Sequence, residues 1–365
     1  MRTVYRQTYG AAARVGTGVV SRSRRVAAST GSTCRPAAIP SIEGAAVNNP
    51  TSILSGHNHI TLNVGGAQED YDFHTEVLGL KSVKKTLLYD GQAPIYHLYY
   101  GNDVGEESTL VTTFPFRHAG LTAKKGSGQI SVLTLSVPES SLDWWRNRLE
   151  EYGFEVTPVE RFGEKRLAFQ HPCGIDYELV GVADDERTPA THPDIPDEFG
   201  VRGVHSISCS VRDMELTDQF MQMGWGSRMV EGDGNATRYE MGDGGPGAIV
   251  DYILEPNREP GSWTFGEGYV HHCAFSVDSL ESQMAVKLFL EGLGYTDVSD
   301  VKDRGYFYSI YVRTPGGPLF EATYTKPEHF AIDEPRDSLG AQIMISPQFE
   351  DSRQELLAQL ETIEY

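Results

Sequence analysis

Cysteine is scarce in this chain: there are four, at Cys34, Cys173, Cys209 and Cys273, and no two stand at CxxC spacing. That argues against a zinc knuckle or a disulfide framework and points to a reducing compartment. Long apolar runs are missing too; nothing approaches the roughly 18 apolar residues of a membrane-spanning helix. Basic residues are few, 31 Lys and Arg against 51 Asp and Glu, which leaves a formal net charge of -20. Nucleic acid is therefore not an expected partner, since phosphate backbones are held by clustered Lys and Arg. The first 42 residues reverse the balance, with seven Arg and no Asp or Glu. Their Arg-, Ser-, Thr- and Ala-rich composition suits an organelle transit peptide, although several glycines weaken the amphipathic helix of a mitochondrial signal. The expected location is the mitochondrial matrix if this segment targets the chain, and the cytoplasm otherwise. Residues 1–50 are set apart from the fold as a disordered or targeting segment.

What the remainder contains is one unit written four times. Residues 51–120 read as strand (HITLNV), helix (AQEDYDFHTEVLG) and three further strands. The same order recurs over 121–183 and, after a linker at 184–200, over 201–258 and 259–345. Repeats of this kind decide a fold, so they are weighed before local propensity. Each copy is β-α-β-β-β, with a Gly at or just past the helix end, where a left-handed residue is wanted. Each first strand alternates apolar and polar residues, as a sheet buried on one face requires. The fold class expected is α+β, with four modules pairing into two open, curved, eight-stranded mixed sheets. The tail at 346–365 reads as one amphipathic helix outside them.

This four-fold pattern resembles the vicinal oxygen chelate superfamily of glyoxalases, antibiotic-resistance proteins and extradiol dioxygenases. The resemblance implies a metal held on a concave sheet face. The copies can be aligned on themselves to find it. Superposing the first strands brings His59, Val132, Ser206 and His272 to one position, and superposing the last brings a residue near Thr112, Glu178, Asp251 and Glu321 to another. Imidazole remains only in the first and fourth copies. His59, His272 and Glu321 are thus expected to share one metal between those copies, with Glu178 and Asp251 structural. Two His and one carboxylate suit non-haem Fe(II), with positions left open for substrate and dioxygen. Metal isomerases of the superfamily use a fourth protein ligand; here that place falls near Thr112 or Thr113, which favours oxygen chemistry. His57, His74, His97, His118, His171, His192 and His329 are read as surface or satisfied core residues.

Residues two apart on a strand share a face, so Thr61 should look into the cavity of His59. A hairpin at TPGG centred near Gly316 pairs Tyr311 with Glu321, within about 5 Å at Cβ. Strict alternation turns His271 away from His272, unless the strand bends; Asn58 and His205 stand at its equivalent positions.

Longer strings narrow the resemblance. HITLNVGGAQEDYDFHTEVLGLKSVKKTLLYDG, PIYHLYYG, ERFGEKRLAFQHPCGIDYEL, EPGSWTFGEG and RGYFYSIYVRTPGG are similar to the hydroquinone ring-cleaving branch, of the 2,6-dichlorohydroquinone 1,2-dioxygenase type. The likeness runs from about residue 55 to 352 and implies an Fe(II) enzyme acting on a small aromatic diol and O2. It further implies supporting roles for Thr61, His271, Arg304 and Tyr311. Asn58 departs from the family's consecutive His pair; an amide cannot shuttle a proton near neutral pH. The rival readings are a catechol-type extradiol dioxygenase, a glyoxalase-like lyase or isomerase, and a ligand-sequestering protein on the same fold. A homo-oligomer is expected.

Overall fold

The computed structural model describes residues 53–89, 93–262 and 266–365. The Arg-rich start, with its targeting reading and Cys34, lies outside the described residues. In the first module β1 (His57–Val64) runs into α1 (Ala67–Asp72) and a π-helical turn, followed by β2 (Lys81–Leu88), β3 (Ile95–Gly101) and β4 (Leu110–Pro115). The second has β5 (Gln129–Pro138), α2 (Leu142–Glu151), β6 (Thr157–Arg161), β7 (Glu164–Gln170) and β8 (Asp176–Val182). The third has β9 (Gly203–Val211), α3 (Glu215–Gln219), β10 (Arg228–Asp233), β11 (Ala236–Glu240) and β12 (Ile249–Leu254). The fourth has β13 (Tyr269–Ser276), α4 (Leu280–Gly292), β14 (Lys302–Asp303), β15 (Phe307–Arg313) and β16 (Leu319–Thr325). Gly79, Gly153, Gly226 and Gly294 follow the four helices at positive φ, turning the chain back toward the sheet.

Each module pairs its first strand with its own last strand in parallel, β1 with β4, β5 with β8, β9 with β12 and β13 with β16. The first strands then pair antiparallel across modules, β1 with β13 and β5 with β9. The first and fourth modules therefore share one sheet, ordered β2-β3-β4-β1-β13-β16-β15-β14, and the second and third share another, ordered β6-β7-β8-β5-β9-β12-β11-β10. Among the described residues one strand pairing, Val270 with Ile130, joins them. A short β17 (Ile343–Met344) extends the first sheet beside β2.

Two expectations need correction. Alternation in the first strands suggested a sheet covered on one face, yet β1 and β9 are buried at every residue. Ile60, Leu62 and Val64 enter the main apolar core, while His59, Thr61 and Asn63 are just as buried on the other, concave face. The polar half of the pattern marks an enclosed polar interior. Nor is the tail one helix. A 3-10 turn (Pro347–Ser352) leads to α5 (Arg353–Leu357), and the helix stops there. Beyond it the chain bonds to the first module instead of to itself. Glu361 accepts the Ala67 N–H (2.8 Å) with its carboxylate and the Tyr96 hydroxyl (2.9 Å) with its carbonyl, and the Glu364 N–H donates to Gln68 (2.7 Å).

Candidate metal centre

The site begins with a backbone irregularity. Between β1 and β13 the register skips Asn58 on one strand and His271 on the other. Between β5 and β9 it skips Ser131 and His205. These four residues immediately precede the four equivalent positions His59, Val132, Ser206 and His272, so each copy carries a β-bulge at the same place. A bulge re-aims the side chain it adds, and His271, which alternation sent away, comes back: its Nδ1 lies 2.6 Å from His272 Nδ1. Asn58 does the same for His59, its Oδ1 standing 2.9 Å from Nδ1. The Asn58 amide is held in that sense because its nitrogen donates to Ser276 Oγ (3.0 Å) and Thr325 Oγ1 (2.9 Å). Asn58 Oδ1 therefore accepts the Nδ1 proton, and His59 Nε2 is left with a bare lone pair, as a metal ligand needs.

The lone pairs converge. His272 Nε2 is 2.8 Å and His59 Nε2 3.8 Å from Glu321 Oε2. Ligand atoms bound at about 2.1 Å to one cation stand roughly 3 Å apart, which is the scale found. The other carboxylate oxygen, Oε1, accepts the Thr323 hydroxyl at 2.6 Å. His272 Nε2 and Glu321 Oε2 are both buried and, apart from facing each other, have no hydrogen-bond partner among the described residues, which leaves both available to a cation. Burial works against ionising Glu321, but His272 and His59 outweigh it and hold the carboxyl well below the usual carboxylate range. Burial pushes the His59 imidazole down to about 4, with Glu321 opposing. An ionised carboxylate beside a neutral imidazole is the protonation that a divalent metal requires.

The parallel registers test the four-fold alignment. Thr61 pairs with Thr112, Thr134 with Glu178, Ser208 with Asp251, and Ala274 with Glu321. Each partner on the first strand lies two residues past its equivalent position, so Thr112 is the fourth-ligand place of the first module. Its hydroxyl is committed to Thr61 Oγ1 (2.8 Å) and His97 Nε2 (3.2 Å). In the second sheet the carboxylates are satisfied by guanidinium groups. Arg166 meets Glu178 (2.6 Å) and Glu164 (2.5 Å), Arg238 meets Asp251 (2.8 Å) and Glu164 (2.8 Å), and Arg161 meets Glu178 (2.9 Å). Three cations thus balance three carboxylates. Removing one partner of a buried pair strands the other charge, at a cost of about 3–5 kcal/mol. Arg166→Met is accordingly expected to lower the urea midpoint sharply while leaving metal content unchanged; an unaltered midpoint would show that the network contributes little.

A second group, Asp70, His74 and His171, is also close enough to suggest a cation. Its tautomers say otherwise. His74 Nδ1 faces the Asp70 carbonyl oxygen (2.9 Å), which only accepts, and its Nε2 meets the Tyr177 hydroxyl (3.0 Å). His171 Nδ1 accepts the Cys173 N–H (3.1 Å), so its proton sits on Nε2, 3.2 Å from Asp70 Oδ1. The two nitrogens facing the carboxylate are N–H groups, so the imidazoles turn no lone pair toward a cation there; Asp70 Oδ2 accepts the Tyr100 (2.8 Å) and Thr113 (2.6 Å) hydroxyls, while Asp70 Oδ1 and His171 Nε2 make no hydrogen bond among the described residues.

Around the centre, Tyr311 stands directly opposite Glu321. Its ring meets His272 edge-on at 5.7 Å, and its hydroxyl accepts Arg304 Nε at 3.2 Å. Thr61 lies on the face of His59 beside Thr112. All seven residues singled out from the sequence are thus brought to one region. His97 and His329, read from the sequence as ordinary, also border it. The Phe307 ring touches both His59 (5.2 Å) and His329 (5.1 Å). His329 has a left-handed backbone and a buried, unpartnered Nε2. It rides on a segment after β16 that the buried Lys84 anchors through Asp333 (2.6 Å) and Glu334 (2.8 Å). A strand pattern could not show this, because His97 reaches Thr112 across the β3–β4 pairing and His329 arrives from an irregular connection.

Four β-α-β-β-β modules with a His-His-Glu cluster on one concave face define a metalloprotein of the vicinal oxygen chelate fold. Glyoxalase I from Zea mays shares that fold, with a TM-score of 0.55 at 16% identity, over 74% of this chain and 92% of the other. No protein-family model matches the chain. Chlorohydroquinone/hydroquinone 1,2-dioxygenase of Sphingobium indicum is 46% identical over 307 residues, 83% of this chain and 95% of that protein. A Bacillus subtilis protein named as a ring-cleaving dioxygenase, MhqO, is 33% identical over 301 residues, 82% of this chain and 94% of its own. A crystal structure named as a dioxygenase, also from Bacillus subtilis, superposes with a TM-score of 0.79 at 32% identity, covering 85% of this chain and 98% of the other. The chain belongs to the ring-cleaving dioxygenases of the vicinal oxygen chelate fold. It is an enzyme of the dioxygenase type, and that membership implies a metal cofactor.

Proposed function

We propose that the chain is an Fe(II)-dependent dioxygenase that opens a para-hydroquinone, chlorinated or not, between a hydroxylated carbon and its neighbour. The observation that carries this reading is the facing pair of buried atoms, His272 Nε2 and Glu321 Oε2, beside His59 Nε2, in a chain so similar to a hydroquinone dioxygenase. His59, His272 and Glu321 would hold the iron. Bound there, ferrous iron supplies a centre through which an electron-rich ring and dioxygen exchange electrons.

The surrounding residues supply what a ring-opening needs from the protein. Tyr311 accepts from Arg304 Nε, so its own hydroxyl hydrogen is free to donate to an oxygen at the ligand face. Arg304 lies over the Tyr311 ring at 5.4 Å and sets a fixed positive charge where negative charge develops on substrate oxygen. His271 shares a proton with His272 Nδ1 and so orients that imidazole. The Thr112 hydroxyl is already bonded on two sides, which supports leaving the remaining positions to diol and dioxygen and disfavours isomerase chemistry.

The test is anaerobic reconstitution with Fe(II) followed by oxygen uptake on a panel of hydroquinones and catechols. Uptake of one O2 per hydroquinone, with catechols slow, is the expected result. No uptake on any diphenol would end the dioxygenase reading, and a preference for catechols would end the hydroquinone one.

A further inference from the structure

We propose that His97 and Tyr99 fix the polarity of a hydrogen-bond chain that leaves Thr61 as a donor toward the metal face. The chain runs from the Tyr99 hydroxyl to His97 Nδ1 (2.9 Å), from His97 Nε2 to Thr112 Oγ1 (3.2 Å), and from Thr112 Oγ1 to Thr61 Oγ1 (2.8 Å). Thr61, Tyr99 and Thr112 are buried. A neutral imidazole offers one donor and one acceptor nitrogen, so such a chain has only two directions. His97 is neutral: burial holds its pKa well below the ordinary value, and His59, His272 and Arg304 push the same way.

The Tyr99 end decides between the directions. Its ring lies among those of Tyr306 (6.3 Å), Phe307 (6.5 Å) and Phe330 (5.2 Å), and His97 Nδ1 is the hydrogen-bond partner the structure gives its hydroxyl. Were Nδ1 protonated, the phenol hydrogen would have no partner among the described residues, an unsatisfied donor. Tyr99 therefore donates to Nδ1, and Nε2 carries the imidazole proton and donates to Thr112. The Thr112 hydrogen, for which Thr61 is the remaining partner among the described residues, then goes to Thr61. The Thr61 hydrogen is what remains, on the face Thr61 shares with His59.

This assignment gives the fourth-ligand place a different use. Where the other three modules put Glu178, Asp251 and Glu321, the first puts a hydroxyl that relays orientation. Resting on the proposed function, the consequence is selectivity for protonation state. A Thr61 whose hydrogen is left free to donate favours a substrate oxygen that has already lost its proton.

The test reads the tautomer first. In protein labelled with 15N-histidine and loaded with Zn(II) as a diamagnetic probe, His97 should show a protonated Nε2 and a bare Nδ1; Tyr99→Phe should shift it toward the Nδ1–H form. In the iron enzyme, Tyr99→Phe and Thr61→Val should each lower kcat about tenfold, the worth of one hydrogen bond, with iron content unchanged. The double variant should be no slower than Thr61→Val, and Thr61→Ser should recover most of the loss. An Nδ1-protonated His97 in the unaltered protein, or losses that multiply in the double variant, would overturn the proposal. Because the tautomer is read without substrate, it stands or falls separately from the hydroquinone assignment.

Discussion

Glu321→Gln is expected to abolish oxygen uptake and to lower iron affinity by more than a hundredfold, while the metal-free protein keeps its unfolding midpoint. Changing a group that merely orients a metal ligand costs 10- to 100-fold in affinity, and Glu321 is proposed as a ligand itself. The substitution keeps side-chain volume, the Thr323 contact and the strand pairing with Tyr311. It removes the single negative charge that faces the imidazoles of His59 and His272. Without metal, Glu321 Oε2 faces His272 Nε2 at 2.8 Å and His59 Nε2 at 3.8 Å. A glutamine amide can instead donate to a bare Nε2. Iron per chain after anaerobic loading, oxygen consumption and thermal melting of the stripped protein measure the three parts of this statement. A variant that binds one iron and turns over normally would remove Glu321 from the site.

The second large effect is on stability toward acid. Burial lowers His57 to about 3, with Arg187 adding to the shift, and lowers His205 to about 3, with Glu164 opposing. Both are fully enclosed, and what offsets the burial of His57 is only a weak backbone contact with Ile249. In the unfolded chain these imidazoles take up a proton near pH 6.5. A depressed folded pKa means that the unfolded state binds more protons between those values, so stability falls as pH falls through 6.5 toward 3. At pH 4.5 each group should have removed roughly 2–3 kcal/mol. Urea unfolding at pH 7.5 and pH 4.5 should show the difference, and His57→Phe, which suits the ring contact with Phe275 (5.4 Å), should shrink it. An equal acid loss in the variant would assign the sensitivity elsewhere.

Much of this architecture was legible because duplication preserves strand period. Four copies of one pattern gave the module order, and the loss of imidazole from two of them isolated His59, His272 and Glu321. The bulges were harder to see. A bulge is an extra residue that strict alternation reads as a change of face, which is why His271 was expected to turn away. The run His57, Asn58, His59 at the head of β1, three polar residues in succession, is the trace it leaves. His97 and Tyr99 were missed for another reason. Their closeness to Thr112 comes from the pairing of β3 with β4, and single-strand patterns carry no information about neighbours. The tail followed the same logic: an amphipathic pattern was present, but Glu361 and Glu364 found partners on α1 and β3, and those contacts replaced the helix.

The guanidinium network of the second sheet has one more consequence. Both concave interiors hold buried acid, and each needs positive charge there. In the second half that charge is tethered covalently, as Arg161, Arg166 and Arg238, and no chelator or shortage can remove it. In the first half Arg304 is bonded to Tyr311, and the charge that would meet Glu321 directly is that of the proposed metal. On the proposed function, dependence on the supply of metal falls on one half of the molecule, and the other can act as a permanent frame for it.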